Sequence, residues 1–299
     1  VPSWTNTTPR DDPLSRGVLR PAATQQVAGL RRDVAVHPVL APFVERWWSV
    51  RWDRTGQPPF RSEVLSHPSV NLSVEEGTHP RFGFELPAVL VHGVVTRRFT
   101  VDLVGAGRVT AAKFRPGGWA AFTGRPPAVG TVTPLGHELP VDAVRLVTDL
   151  LAQADDADRV AVLEAALLPV VPEPPAEFVE LSALLAEMVA DRSVVRVDQV
   201  AGRAGVGVRS LQRRFARWVG VQPKAVLARY RLQDAAAAID AGADDLAGLA
   251  ASLGWFDQSH FSRDFRAVVG VPPSAYLARA RADPGTGRVR PARPRTSGR

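Results

Sequence analysis

The chain has 299 residues, 45% of them hydrophobic, enough for two domains with a core each. It contains no cysteine, which excludes disulfides, thiolate zinc sites and cysteine nucleophiles and fits a reducing cytosol. Its longest apolar runs, such as Val160–Val171, are broken by a charge or a proline and fall short of a membrane span. The N-terminus pairs no basic stretch with an apolar core, so no secretory signal is read and a cytoplasmic protein without membrane contact is expected. The formal net charge of +7 is unevenly placed: from Ser193 onward there are 18 Arg/Lys against 8 Asp/Glu. Residues 1–192 hold the other 19 bases and 22 acids, so the balance changes sign along the chain and points to a polyanionic partner for the last third.

Residues 1–25 read as a mobile arm, rich in Pro, Thr and Ser with little periodicity. From about 30 to 135 the pattern is strand-like. Val70, Leu72 and Val74 alternate with polar residues, as do Phe99, Val101 and Leu103, and Val89–Val91 suits a strand buried on both faces. Breakers such as Gly77, His79-Pro80, Gly105 and Pro116-Gly117-Gly118 separate these pieces, giving an antiparallel β domain for which a cupin-like barrel is one arrangement. Trp48, Val50 and Trp52 share one strand face; with Trp47 they could floor a pocket, although core packing is the simpler reading. His37, His67, His79 and His92 all lie here, but no His-x-His pair exists, so neither a metal nor another cofactor is assigned.

Between Val141 and Leu168 the period becomes helical. Val144, Val147, Leu150 and Leu151 make one apolar stripe, and Val160, Leu163, Leu167 and Leu168 another. This stripe either pairs two copies of the chain or packs within one, and the sequence leaves both open. The expected organisation is α+β in two domains: a β-rich regulatory domain with a helical connector over 26–168, a proline-rich linker at 169–175, and an all-α domain over 176–283. Residues 284–299, with five arginines, read as a disordered basic tail.

Inside the all-α segment the sequence repeats itself. Residues 211–229 set against 261–279 agree at ten of nineteen positions, among them Arg213/Arg263, Phe215/Phe265, Gly220/Gly270 and Pro223/Pro273. Two copies are too few for a solenoid, so a duplicated compact unit is expected. Each copy has the parts of a helix-turn-helix. Val197, Val200 and Ala201 supply a first helix, Gly205 a turn, and Val208, Leu211, Phe215 and Val219 a second helix. Leu246, Leu249 and Ala250, then Gly254, then Phe261, Phe265 and Val268 do the same in the second copy. The turns align at a shift of 49 and the second helices at 50, so the second unit has one extra residue after its turn. Pro223–Ala241 reads as one connecting helix roughly 28 Å long, against a groove repeat of about 34 Å along DNA.

With Leu211 and Phe215 inward, a step of about 100° sends Arg209, Ser210, Arg213 and Arg217 outward, with Gln212 and Arg214 on the flanks. In the second unit Ser259, Ser262, Arg263 and Arg266 point out beside Gln258 and His260. Arg can hold guanine and Gln can hold adenine with two bonds each in a major groove, so these faces suit duplex DNA. Arg214, Arg217 and Arg266 are assigned to phosphates, which position without specifying.

Residues 201–215, Gly220–Pro223, and above all Gly254–Phe265 followed by Gly270–Ser274, resemble the AraC/XylS family of bacterial transcription regulators over about Asp191–Arg281. The resemblance implies that Arg209, Gln212 and Arg213 occupy base-reading positions of the first unit, and Gln258, Ser259, His260 and Arg263 those of the second. Gly207 stands where a serine N-cap is usual, and Phe256 where a small or polar residue is. The stretch Lys113–Gly118 is similar to an uncharacterised β-rich domain that precedes this module in related regulators, which implies a regulatory or dimerising role and names no ligand. The reading is thus a sequence-specific transcription factor, not an enzyme, with no catalytic residue. Its partner is double-stranded DNA; a small-molecule effector, a second copy and RNA polymerase are further candidates. The rivals are a non-specific architectural DNA binder and a small-molecule enzyme with a basic appendage.

Overall fold

A computed structural model describes residues 17–19, 21–33 and 35–282, with backbone alone at 22 and 31–33. The basic tail and most of the expected N-terminal arm lie outside the described residues. Of the arm's remainder, Val18 and Leu19 are buried, and Pro21–Gln25 forms a short helix, α1.

Eight strands follow the alternation of the sequence. β1 (Ala28–Asp33), β2 (Val44–Arg54), β4 (Asn71–Gly77), β5 (Ala88–His92), β7 (Gly105–Phe114) and β8 (Val132–Pro134) form one antiparallel sheet in the order β1-β2-β7-β4-β5-β8. β3 (Phe60–Val64) and β6 (Phe99–Leu103) pair as a separate ribbon. Register sorts the side chains into rows. Trp47, Ala112, Leu72 and Val91 stand in line across β2, β7, β4 and β5, all buried in the main core. One residue along, on the opposite face, Arg46, Lys113, Asn71 and His92 form a polar row. That inversion follows from the two-residue strand period. The ribbon covers the polar row, leaving a cavity of about 150 Å³ between them. Trp48 and Val50 line this cavity, whereas Trp47 faces away into the core and Trp52 packs in a smaller cluster with Leu103 and Val109.

The core face of the sheet is covered by α2 (Gly118–Thr123), α3 (Ala143–Leu151) and α4 (Asp156–Leu167). The stripe expected on α3 needs correction. Leu146 and Leu150, four residues apart on one face, are the buried pair, whereas Val144 is 78% exposed and Leu151 40%. Asp142 caps the helix by accepting from Val144 and Arg145 N–H, and that sets where it starts. On α4, Arg159 is almost wholly buried; it donates to Thr110, to the Leu150 and Gln153 carbonyls and to Glu76, tying the connector to the sheet.

The helical part comprises α5 (Ala176–Ala190), α6 (Val197–Arg203), α7 (Val208–Trp218), α8 (Pro223–Asp240), α9 (Leu246–Ser252), α10 (Gln258–Val269) and α11 (Pro273–Ala282). Residues 171–175 carry no helix or strand, yet Val170 and Val171 pack against the core. One apolar cluster runs from the sheet into the first helix-turn-helix unit: Phe43 stacks on Phe178 at 5.9 Å and 4°, and Phe178 meets Trp218 at 6.1 Å. The Lys113–Gly118 stretch sits at this junction. A Cβ on Gly118 would lie 2.3 Å from the Phe43 carbonyl oxygen, so close approach requires glycine there.

Candidate nucleic-acid interface

Each helix-turn-helix unit is built by the features its sequence advertises. Ala201 and Ala250 are buried where the first helices cross the second, and Gly205 and Gly254 adopt φ of +63° and +78° at the turns, a conformation side chains resist. Inward positions Leu211, Phe215 and Val219 of the first unit, and Phe261, Phe265 and Val269 of the second, are fully buried. Val268, expected inward, is only half-buried; its neighbour Val269, the repeat equivalent of Val219, takes the core position. Two residues separate Gly205 from the start of α7 and three separate Gly254 from the start of α10, the inequality expected from the two shifts. The two N-termini also differ chemically. Gly207 offers α7 no side-chain cap, whereas Asp257 accepts from the His260 N–H at 2.6 Å.

α8, 18 residues and roughly 27 Å long, joins the units. It holds the second through Arg231, whose guanidinium lies 3.7 Å from the Trp255 ring centroid and donates to the Leu253 carbonyl at 2.7 Å. Asp240 accepts from the Tyr276 hydroxyl of α11.

The outward faces are open. Arg209, Gln212 and Arg213 on α7 are exposed, as are Gln258, Ser259, His260 and Arg263 on α10. Ser210 is half-buried and Asp264 lies 3.3 Å from His260 Nε2. The arginines expected on phosphates are placed unequally. Arg266 is exposed; Arg217 is exposed, 3.5 Å from Glu177 and stacked over Trp218; Arg214 is half-buried between Glu177 and Glu180 of α5. Among the described residues, Arg209, Arg213, Arg263 and Arg266 make no ion pair, so their charge is free to meet an anion.

The sequence marks Phe256 only as a departure from the family pattern, and it marks neither Arg229 nor Arg98 as a contact. Phe256, at the turn before α10, is 94% exposed. Arg229 on α8 is buried and donates to the Val95 and Arg97 carbonyls of the β domain at 3.1 and 3.2 Å. Burial draws its pKa down to about 10. Its repeat partner Arg279 is exposed, so the duplication hid a divergence in role. The Arg98 N–H donates to the Val268 carbonyl at 2.8 Å, and its guanidinium is 2.7 Å from Glu63. These contacts set the β domain against the C-terminal end of α10.

Among the described residues no group of three His, Cys, Asp or Glu side chains is arranged to hold a metal, and no helix is long and apolar enough to cross a membrane.

Two paired helix-turn-helix units with open, arginine-bearing second helices are a DNA-reading architecture. Residues 200–279 match a helix-turn-helix domain family, and residues 32–131 match a domain of unknown function, DUF6597. Among solved structures the chain is similar to the C-terminal domain of AraT, a response regulator from Geobacillus stearothermophilus, at 20% identity over 33% of this chain and 84% of that one, with a TM-score of 0.32. It is also similar to ToxT from Vibrio cholerae O395, at 10% identity over 84% and 96% of the two chains, with a TM-score of 0.39. Unsaturated-fatty-acid-bound ToxT from strain SCE256 gives 10% identity over 84% and 94%, with a TM-score of 0.35. The class so defined is that of DNA-binding transcription regulators. More particularly, the C-terminal match is to a helix-turn-helix domain, and it lies behind a segment that matches DUF6597.

Proposed function

We propose that one chain reads two adjacent major-groove segments of a non-palindromic site, α7 entering one groove and α10 the next. The supporting observation is the pair of exposed reading faces at the two ends of one rigid helix, α8. Arg209, Gln212 and Arg213 contact bases in the first segment, and Gln258, Ser259, His260 and Arg263 in the second. Arg217 and Arg266 contact phosphates, and Arg214 does so by leaving Glu177 and Glu180. Pull-down of sheared genomic DNA at moderate salt, then footprinting of the enriched fragment, tests this. A protected stretch spanning two adjacent grooves on one face per protomer is expected. Diffuse protection, as an architectural binder would give, rejects it.

The β domain is assigned the sensing role, acting in the cytoplasm on a small molecule in the 150 Å³ cavity. Its walls are mainly apolar, and its polar end is crowded. Glu75 accepts from His92 or Ser73 and faces Arg81, while Lys113 pairs with Glu45. Burial would raise the Glu75 carboxyl, but the His92 hydrogen bond and the Arg81 charge hold it below the ordinary value. Arg81 Nε is buried with no hydrogen-bond acceptor among the described residues. An unmet guanidinium N–H favours an apolar molecule carrying one accepting group. Thermal-shift screening of small apolar carboxylates, amides and ketones tests it: a hit that raises Tm in the parent and not in Arg81→Met supports the assignment. A hit insensitive to Arg81 removes it.

A further inference from the structure

The β domain and α10 together form a basic cleft of about 570 Å³, lined by Arg97 and Arg98 from the loop entering β6 and by Arg263 and Arg266 from α10. The four guanidinium groups are not equivalent. Arg98 is matched by Glu63 and is packed against Gly270, where a Cβ would fall 2.8 Å from its central carbon. Arg97, Arg263 and Arg266 are exposed and make no ion pair among the described residues. The cleft therefore carries three unbalanced positive charges.

The loop that presents Arg97 is held firmly. Arg229 donates to the carbonyls of Val95 and Arg97, and the Arg98 N–H donates to the carbonyl of Val268. Three hydrogen bonds between the two domains, two donated by Arg229 and one accepted by the Val268 carbonyl, hold residues 95–98 of the β domain beside the end of α10. Burying an arginine is costly by itself and lowers its pKa, and the two carbonyls offset that cost only in part because they carry no charge. The arrangement has one evident structural consequence, the fixed placement of Arg97 next to Arg266.

We propose that this cleft binds a DNA phosphodiester between Arg97 and Arg266, with Arg263 at its edge left to reach a base, so that the β domain contributes a direct contact to the nucleic acid through Arg97. This deepens the reading of α10 as a recognition helix and rests on it. The occupant follows from continuity: Arg263 and Arg266 belong to the exposed face whose N-terminal part carries Gln258 and Ser259. Strands flanking a groove occupied by that helix pass along its sides, where phosphates position the protein without specifying sequence. A free phosphate could meet the same Arg97 and Arg266 guanidinium groups, and the test separates the two sources.

The test uses the full chain and its enriched DNA fragment, with affinity measured across a salt series. Arg97→Gln is expected to lower affinity several-fold on specific and non-specific DNA alike, and to reduce the log–log salt slope by about 0.9. Arg97→Lys should restore most of the slope, because it restores the charge. In parallel, the DNA-free protein is titrated with inorganic phosphate and followed by thermal shift. An unchanged DNA slope in Arg97→Gln overturns the proposal, and does so decisively if Arg97-dependent phosphate binding is seen without DNA. If Arg97→Gln is silent while the parent keeps its two-groove footprint, only this inference falls. If the parent shows no localised footprint, the reading of α10 falls with it.

Discussion

Phe178→Ala probes the most consequential packing feature of the molecule. Phe178 opens α5, is fully buried, and lies between Phe43 of the β domain and Trp218 of α7. Truncating a buried phenylalanine costs about 3–5 kcal/mol, through lost transfer energy and the cavity left behind. The two ring contacts, each worth about 0.5–1.5 kcal/mol beyond area, place this site in the upper half of that range, near 4 kcal/mol. With a urea m-value near 3 kcal/mol/M for a chain of this size, the midpoint should fall by about 1.3 M. Because the surrounding cluster is continuous from the sheet to Tyr230 of α8, the loss should be felt in both domains together. Urea titration followed by tryptophan fluorescence and by far-ultraviolet circular dichroism measures it: the two probes should coincide before and after substitution, with one shifted transition. Two separated transitions in the parent, or a shift in one probe alone, would refute the shared core.

Other outcomes follow from single contacts. Gly118→Ala should destabilise by about 1–3 kcal/mol, since its Cβ would press on the Phe43 carbonyl; equilibrium unfolding checks this, and a neutral effect would mean that the α2 junction yields. Asp257→Ala should cost about 1 kcal/mol by removing the cap on the His260 N–H, with weaker DNA binding by the second unit but unchanged contacts by the first. Burial alone would raise the Glu45 carboxyl, but Lys113 and Arg46 hold it down at about 2, against an ordinary value of 4.5. A depressed carboxylate contributes stability that is complete above its unfolded pKa and lost as pH falls toward the folded one. Chemical denaturation should therefore show a fall of a few kcal/mol between pH 4.5 and 2, flattened in Glu45→Gln; an equal fall in that variant would place the acid sensitivity elsewhere.

What could be read in advance was whatever a local pattern encodes. Gly205 and Gly254 announced the turns, and the Phe215/Phe265 and Gly220/Gly270 matches announced a duplicated unit, because each residue type answers a backbone or packing need within its own segment. The alternation at Val70–Val74 and Phe99–Leu103 worked for the same reason. Features created by pairing distant segments were invisible. The polar row of Arg46, Lys113, Asn71 and His92 exists only once four strands are in register. The stack of Phe43 on Phe178 joins residues far apart in the chain, and the Thr96-Arg97-Arg98 stretch looks unremarkable until Arg229 holds it against α10. On α3 the expected stripe of Val144, Val147, Leu150 and Leu151 keeps Leu150 inward but yields Val144 and Leu151 to solvent and misses Leu146; two and a half turns leave two overlapping periodic choices, and the sheet decides between them.

The central claim is that two unequal recognition helices of one chain read neighbouring grooves. Base-methylation interference on the enriched fragment, comparing the parent with Arg213→Ala and Arg263→Ala, tests it most directly. The account predicts two patches of interference about one helical turn apart on the same face. Arg213→Ala should erase sensitivity in one patch and Arg263→Ala in the other, each costing roughly 1–3 kcal/mol on the specific site and little on random DNA. A uniform loss of affinity on every sequence, with both patches unchanged, would contradict it and make the two arginines backbone clamps.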